Sequence, residues 1–353
     1  MLLGIYTDMH CAYTSSIMPL YTDSSKYTTR LDMIIKSGKW MYDLFDYYHV
    51  DLIANLGDTF DKNIIKSEEL TAISEFYSYS KEVPEIVLVG NHEMVNGEFN
   101  AINILDNYSF ITVYDSPCKL NDEISVIPYM KIEDITYDLL NELNNKILLS
   151  HIDIKGSSIR TGYDLEFGVD PEYLSMNFET TLNGHIHKHS VVNTSDNKVI
   201  NVGSMTSMSF SDSNSYIPGV MIYDTETRKF EFFENPWAVL FRKYYIKDMK
   251  HLVDTIGRNI NKKYKYIIGV EVPYEIRDDA RTYLSNNENI IASRVTTYIK
   301  EGTSIVTESN QNRISLYSNI NGEFLSFIKD NQNLLKYPYD KYEDIISKIQ
   351  GEL

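Results

Sequence analysis

The sequence is short of cysteine, of basic residues and of long apolar runs, and each shortage narrows what it can be. Only two cysteines, Cys11 and Cys118, occur in 353 residues. That is too few for a disulfide framework and points to a reducing compartment. No apolar run approaches the roughly 18 residues that a membrane span needs, and no internal repeat or long low-complexity tract is present. The residues before Asp8 include no basic side chain, so a signal peptide is not expected. A soluble, cytoplasmic protein with no membrane partner follows as the expectation. Thirty-three basic against fifty acidic side chains give a net charge of −17. Bulk charge of that sign does not coat nucleic acid, because phosphate binding draws on clusters of Lys and Arg. Any DNA contact needs metal ions, a local basic patch or a basic partner.

What is present is an ordinary globular composition, with 43% apolar residues. Short apolar runs at 2–6, 51–56, 85–89, 125–128, 146–149, 180–182 and 198–202 read as strands. Leu31, Ile34, Ile35, Met41, Tyr42 and Phe45 recur at helical spacing between the first two, and Leu70, Ile73, Phe76 and Tyr77 mark a second helix. Strand–helix alternation predicts an α/β architecture, with functional groups in the loops past the strand ends. From about residue 244 the texture changes to helix 249–260, strand 264–272, helix 274–284 and strand 294–299. A polar stretch, 308–321, then leads to a final helical pattern.

The chemistry lies at the strand ends: Asp8 and His10, then Asp58 and Asp61, then Asn91, His92 and Glu93, then His151, then His185 and His187. Singly, each has a plain structural reading. Asp8 caps a helix, Asp58 and Asp61 sit in an Asx turn, Asn91 holds a left-handed turn, and His151 is a core histidine. Together they converge on one rim of a layered sheet, where unpaired burial costs several kcal/mol each unless a cation holds them. Oxygen and imidazole donors without thiolate suit Mn²⁺, Fe²⁺ or Zn²⁺ better than Ca²⁺. A two-metal site follows, its ions roughly 3.5–4 Å apart and bridged by a carboxylate.

In that order, Asp8-x-His10, Gly57-Asp58-x-x-Asp61, Gly90-Asn91-His92-Glu93, His151 and Gly184-His185-x-His187 resemble the signature of the calcineurin-like metallophosphoesterase superfamily. Within it the chain is similar to the SbcD-type nuclease subunits of DNA repair and recombination, in particular their bacteriophage relatives. That finer likeness rests on Asn201, Gly203 and Ser204, on the run from Pro218 through Asp224, and on Phe233 through Pro236. The resemblance implies a four-layer sandwich of two mixed sheets flanked by helices over 1–243 and a small α/β capping domain facing DNA over 244–305. A linker over 306–335 and a C-terminal partner-binding helix over 336–353 would complete it.

It also implies two divalent ions, Mn²⁺ first with Mg²⁺, Fe²⁺ or Zn²⁺ as alternatives. Asp8, His10 and His187 would hold one ion, Asn91, His151 and His185 the other, and Asp58 would bridge. His92 would face the scissile phosphate, with Asp61 orienting His10, His92 or a water, and Glu93 as a structural acceptor. DNA is the implied substrate. An SbcC-like ATPase is the implied partner, in a heterotetramer built on a homodimer of this chain. Tyr342, Ile345, Ile346 and Ile349 form one apolar helical stripe fit to grip that partner, or to dock on the chain's own second domain. Phe76, Tyr77, Tyr79, Phe99 and Ile102 either pair two copies or simply cover the sheet.

Two features depart from the family pattern. Cys11-Ala12 stands where Leu-Gly is usual, opening an insertion over 13–27, and Cys11 is expected to be a small buried neighbour rather than a ligand. Lys62-Asn63 stands where Ser/Thr phosphatases carry Arg-Gly. That favours a nuclease over the alternatives, a protein phosphatase or small-nucleotide phosphodiesterase. A non-catalytic module stabilised by metal is a further alternative, disfavoured by the presence of His92. Lys188, Arg242 and Lys243 are the candidates for a small basic edge.

Overall fold

The computed structural model describes residues 1–298 apart from 16, 22–24, 96–98, 161–162, 194–196 and 213–215. The segments expected as linker and C-terminal helix, with Tyr342, Ile345, Ile346 and Ile349, lie outside the described residues. The chain opens with β1 (Leu2–Tyr6), α1 (Thr29–Tyr47), β2 (Leu52–Asn55), α2 (Ser67–Tyr77), β3 (Glu85–Leu88) and β4 (Ile111–Tyr114). It continues through β5 (Cys118–Lys119), β6 (Ile124–Ile127), α3 (Tyr137–Glu142), β7 (Asn145–Ser150), α4 (Pro171–Asn177), β8 (Phe178–Asn183), β9 (Ser190–Asn193) and β10 (Lys198–Asn201). β11 (Gly219–Asp224) and β12 (Lys229–Glu234) follow, then β13 (Val239–Tyr245), α5 (Met249–Asn259), β14 (Lys265–Pro273), α6 (Arg277–Ser285) and β15 (Ile290–Tyr298).

Two six-stranded mixed sheets form, in the orders β12–β11–β1–β2–β3–β4 and β9–β10–β8–β7–β6–β5. Each has a run of four parallel strands with antiparallel strands at its margins. Period-two alternation assigns the faces. Leu3, Ile5, Ala54, Leu56 and Leu88 of the first sheet meet Val126, Ile147, Leu149 and Leu182 of the second in a core between the sheets. Tyr6, Ile53 and Val87 point the other way, onto Leu31, Ile34, Tyr42 and Phe45 of α1 and Ile73 and Phe76 of α2. Leu148 and Val199 bury against Leu140 of α3 and Leu174 of α4. The result is the expected sandwich of helix, sheet, sheet and helix. Fully burying a side chain of this size stabilises by about 1.5–3 kcal/mol, so the three cores dominate the stability.

α1 begins where the Thr28 side chain accepts from the Leu31 amide. Phe76, Tyr77 and Ile102 lie in the core beneath the helices, so these side chains cover the sheet and offer no outward apolar area. The third sheet, β13–β14–β15, is all parallel, its crossovers made by α5 and α6. It starts at Val239, ahead of the residue-244 change in texture. Along β13, Leu240 faces the core under α5 and α6, while Val239 and Phe241 face the sandwich core, with Phe210 against Phe241 at 5.4 Å between rings.

Candidate metal centre

Each metal-ligand and catalytic candidate lies in a loop past a parallel strand, and the fold brings these loops together. Asp8 and His10 follow β1, Asp58 follows β2, and Asn91 and His92 follow β3, all in the first sheet. His151 follows β7, and His185 and His187 follow β8, in the second. The loops are zipped by backbone bonds from Asp8 N to Gly57 O (3.0 Å), His10 N to Asp58 O (2.9 Å) and Cys11 N to Thr59 O (2.7 Å). Asp8, His10, Asp58 and His185 have φ of 50, 47, 53 and 64°. Left-handed backbone at residues with a Cβ costs on the order of 1–3 kcal/mol each and persists where the surroundings over-determine it. Gly90 answers a different need, since a Cβ there would fall on the Asp58 carboxylate.

Two nests of donor atoms result. In the first, His10 Nε2 lies 3.0 Å from His187 Nε2 and 3.9 Å from Asp8 Oδ1, and His187 Nε2 lies 3.7 Å from that oxygen. Asp8 Oδ1 is buried without a hydrogen-bond partner among the described residues, while Oδ2 accepts from Thr7. In the second, Asn91 Oδ1 lies 3.2 Å from His151 Nε2 and 3.0 Å from His185 Nδ1. Asp58 stands between them. Its Oδ2 is 3.4 Å from His151 Nε2 and 3.8 Å from His10 Nε2, and its Oδ1 accepts from the His92 amide at 3.0 Å.

This donor set fits cations. Two imidazole nitrogens at 3.0 Å hold at most one proton between them, and an unpartnered buried carboxylate oxygen beside them asks for positive charge. Asp8, His10 and His187 come within ligand distance of one another, as do Asp58, His151 and His185, and so do His10, Asp61 and His92. Burial holds the His10 imidazole well below its usual pKa, leaving it neutral and ready to donate a lone pair. Burial also opposes a charge on His151, but Asp58 overrides it by attraction and hydrogen bonding and pushes His151 up to about 9. Asp58 is driven well below the usual carboxylate range: burial opposes its charge, and the charge and hydrogen bond of His151 outweigh that.

Tautomers follow from the acceptors, because a carbonyl can only accept. His151 Nδ1 donates to Leu56 O at 2.6 Å, which turns Nε2 toward Asp58 and Asn91. His92 Nδ1 donates to Asp61 O at 2.8 Å, which leaves Nε2 on the Asp58 side, 3.9 Å from Oδ2. It is thus the Asp61 backbone that orients His92. The Asp61 carboxylate sits 3.9 Å from His10 Nδ1 and 4.0 Å from His92 Nδ1, facing both.

Glu93 accepts from the Phe60 and Gly90 amides at 2.9 and 2.7 Å, tying the second loop to the third, and burial followed by the Asp58 charge pushes it up to about 8. Cys11 is buried and bridged to Phe60, its thiol pushed up by burial. It lines a cavity of about 80 Å³ with Tyr13, Asp61, Lys62 and Lys66, so the start of the 13–27 insertion shapes the edge of the site. Arg242 donates to Phe241 O and Tyr216 O, so the structure ties this member of the expected basic edge to backbone.

The calcineurin-like phosphoesterase family model matches residues 1–202. The chain belongs to this family. Nothing among curated protein sequences matches it significantly. Among solved structures, an archaeal phosphodiesterase is 15% identical at a TM-score of 0.37, covering 66% of this chain and 99% of its own. A dimetal phosphatase from Danio rerio is 11% identical at 0.37, covering 63% and 91%. Purple acid phosphatase from yellow lupin seeds is 12% identical at 0.40, covering 66% and 52%. These likenesses concern the fold. As a calcineurin-like phosphoesterase the chain falls among the hydrolases that use divalent metals.

Three supports of this phosphoesterase centre were not picked out in the sequence. Arg30 is buried under the first loop and donates to the carbonyls of Met9, His10 and Ser207 and to Thr206 Oγ1. Asn183 holds Ile152 through both its N–H and its C=O and also bonds Gly184 O, clamping the His151 loop to the His185 turn. Asp153 reaches His185. The signals were an arginine on the apolar stripe of α1 and a carboxylate two residues past His151, on the same side of an extended segment. Conversely, His189 continues the alternation of His185 and His187 but stacks on Phe232 at 4.5 Å and bonds backbone carbonyls.

Proposed function

We propose that the chain is a di-metal phosphodiesterase acting on DNA, the nuclease subunit of an assembly with an SbcC-like ATPase. The observation that carries the enzymatic part is the placement of Asp58 Oδ2 between the two nests, with His92 beside it, 38% exposed and outside both. A site that only fixed a fold has no need of an accessible imidazole there.

Asp8, His10 and His187 would hold the first ion and Asn91, His151 and His185 the second, with Asp58 placed to reach both. Divalent ions bound there would supply Lewis-acid activation of a water and neutralisation of phosphoryl oxygens. Mn²⁺ suits the donors, with Mg²⁺, Fe²⁺ and Zn²⁺ as competitors. His92, its Nδ1–H fixed on Asp61 O, donates from Nε2 to the developing charge or the leaving oxygen as the imidazolium, in which Nε2 carries a second proton.

DNA as substrate is supported by Lys62-Asn63 in place of Arg-Gly, by the α/β unit that follows the sandwich, and by the SbcD-like residues around Asn201, Gly203, Ser204 and Asn235. A net charge of −17 repels DNA at long range, while two divalent ions invert the sign locally. The ATPase and the homodimer rest on the same resemblance, and the apolar spacing of the sequence over 342–349 is what a partner-gripping segment would need. Cleavage of plasmid and end-labelled duplex should be compared with cleavage of a chromogenic phosphodiester and a phosphomonoester, with Mn²⁺ and with EDTA. The reading expects metal-dependent DNA cleavage. Activity on the small substrates alone would assign a phosphatase or nucleotide phosphodiesterase, and none on any substrate a binding module.

A further inference from the structure

We infer that Asp153 is a positioning residue for the second ion: it sets the orientation and tautomer of His185. His185 Nε2 lies 3.0 Å from Asp153 Oδ1, and His185 Nδ1 lies 3.0 Å from Asn91 Oδ1, inside the nest. Both neighbouring oxygens accept, and the charged Asp153 carboxylate is the stronger acceptor, so the proton of a neutral His185 sits on Nε2 and the lone pair on Nδ1 faces Asn91. Ligand histidines commonly rest on such a carboxylate, which raises their basicity and fixes the ring.

The loop that carries Asp153 is built for the task. Val169 N donates to Asp153 O at 2.9 Å, Ile154 bridges to Val169, and Asn183 anchors Ile152 on the other side. Gly168, at φ +140°, permits the approach, since a Cβ there would stand 2.8 Å from the Asp153 carbonyl oxygen. The two nests therefore differ. In the second, His151 is braced by Leu56 O and His185 by Asp153. In the first, His10 Nδ1 has no hydrogen-bond partner among the described residues.

The inference rests on His185 holding that ion, and the test separates the two claims. Calorimetric titration of the metal-free full chain with Mn²⁺ is run for the parent, Asp153→Ala, Asp153→Asn and His185→Ala. The expected result is one class of site weakened about 10–100-fold in Asp153→Ala, a smaller loss in Asp153→Asn, and loss of that class in His185→Ala. The nitrogen-15 shifts of His185 in the metal-free chain above pH 8 should report Nε2–H in the parent and a mixture of tautomers in Asp153→Ala. Unchanged affinity and tautomer in both Asp153 variants, with one ion lost in His185→Ala, overturns the role of Asp153. Two ions retained in His185→Ala overturns the ligand reading instead. The Asp153 side chain is half-exposed and the isosteric Asn keeps an acceptor, so folding does not confound the comparison.

Discussion

The guanidinium of Arg30 donates to the carbonyl oxygen of His10 at 3.0 Å, from beneath a loop whose backbone is left-handed at both Asp8 and His10. The same group holds Met9 O and Ser207 O, so one buried cation spans the loops after β1 and β10. Arg30→Met keeps the volume and removes every donor, taking away the bonds to the His10 and Ser207 carbonyls, while Met9 O keeps Thr206 Oγ1. Unfolding in urea should show a loss on the order of 3 kcal/mol. Metal analysis should show a larger loss of the first ion than of the second.

Asp58→Asn should lose both ions together, since its Oδ2 faces His10 and His151 alike. His10→Ala should mainly lose one. Equal loss of both ions in the two variants, measured as metal per chain, would argue against a bridging role.

Glu85 is buried away from the metals and accepts from Tyr6 and Tyr42 at 2.7 and 2.9 Å. Burial pushes its carboxyl up to about 7, against these two hydrogen bonds. An acid with a raised folded pKa stabilises fully below its unfolded pKa, and that contribution is lost as pH rises through about 7. Melting temperature should therefore fall between pH 5 and pH 8. Glu85→Gln should flatten the fall, with a relative gain at pH 8 of up to about 3 kcal/mol. An equal slope in parent and variant would assign the pH dependence elsewhere.

Deletion of residues 336–353 should abolish co-purification with an SbcC-like ATPase and leave metal-dependent cleavage by the isolated chain intact. An intact complex after the deletion would place the partner surface elsewhere, and a truncated chain that fails to fold would dock the helix on its own second domain.

Some of this architecture is legible in the sequence because each element carries its own signal. The α1 stripe from Leu31 to Phe45 has helical period, and β1, β2, β3, β7 and β8 are apolar runs because both their faces are buried. The strand-end Asp, Asn and His residues stand out against those runs. Margin strands such as β4 and β12 were not picked out, because they are mostly half-exposed and only pairing with a neighbour defines them. Arg30 and Asp153 carry a local signal, an arginine on an apolar stripe and a carboxylate two residues past His151, but that signal does not name partners 20 to 32 residues away. The tautomers of His92 and His151 depend on carbonyls that any residue type supplies, so composition is silent on them.

The central claim is that His92 does chemistry beside two ions it does not bind, and His92→Ala tests it directly. Metal content and thermal unfolding should match the parent, while Mn²⁺-dependent DNA cleavage falls about 10²–10⁴-fold, the range for losing a general acid. Cleavage at the parental rate with both ions in place would contradict the account.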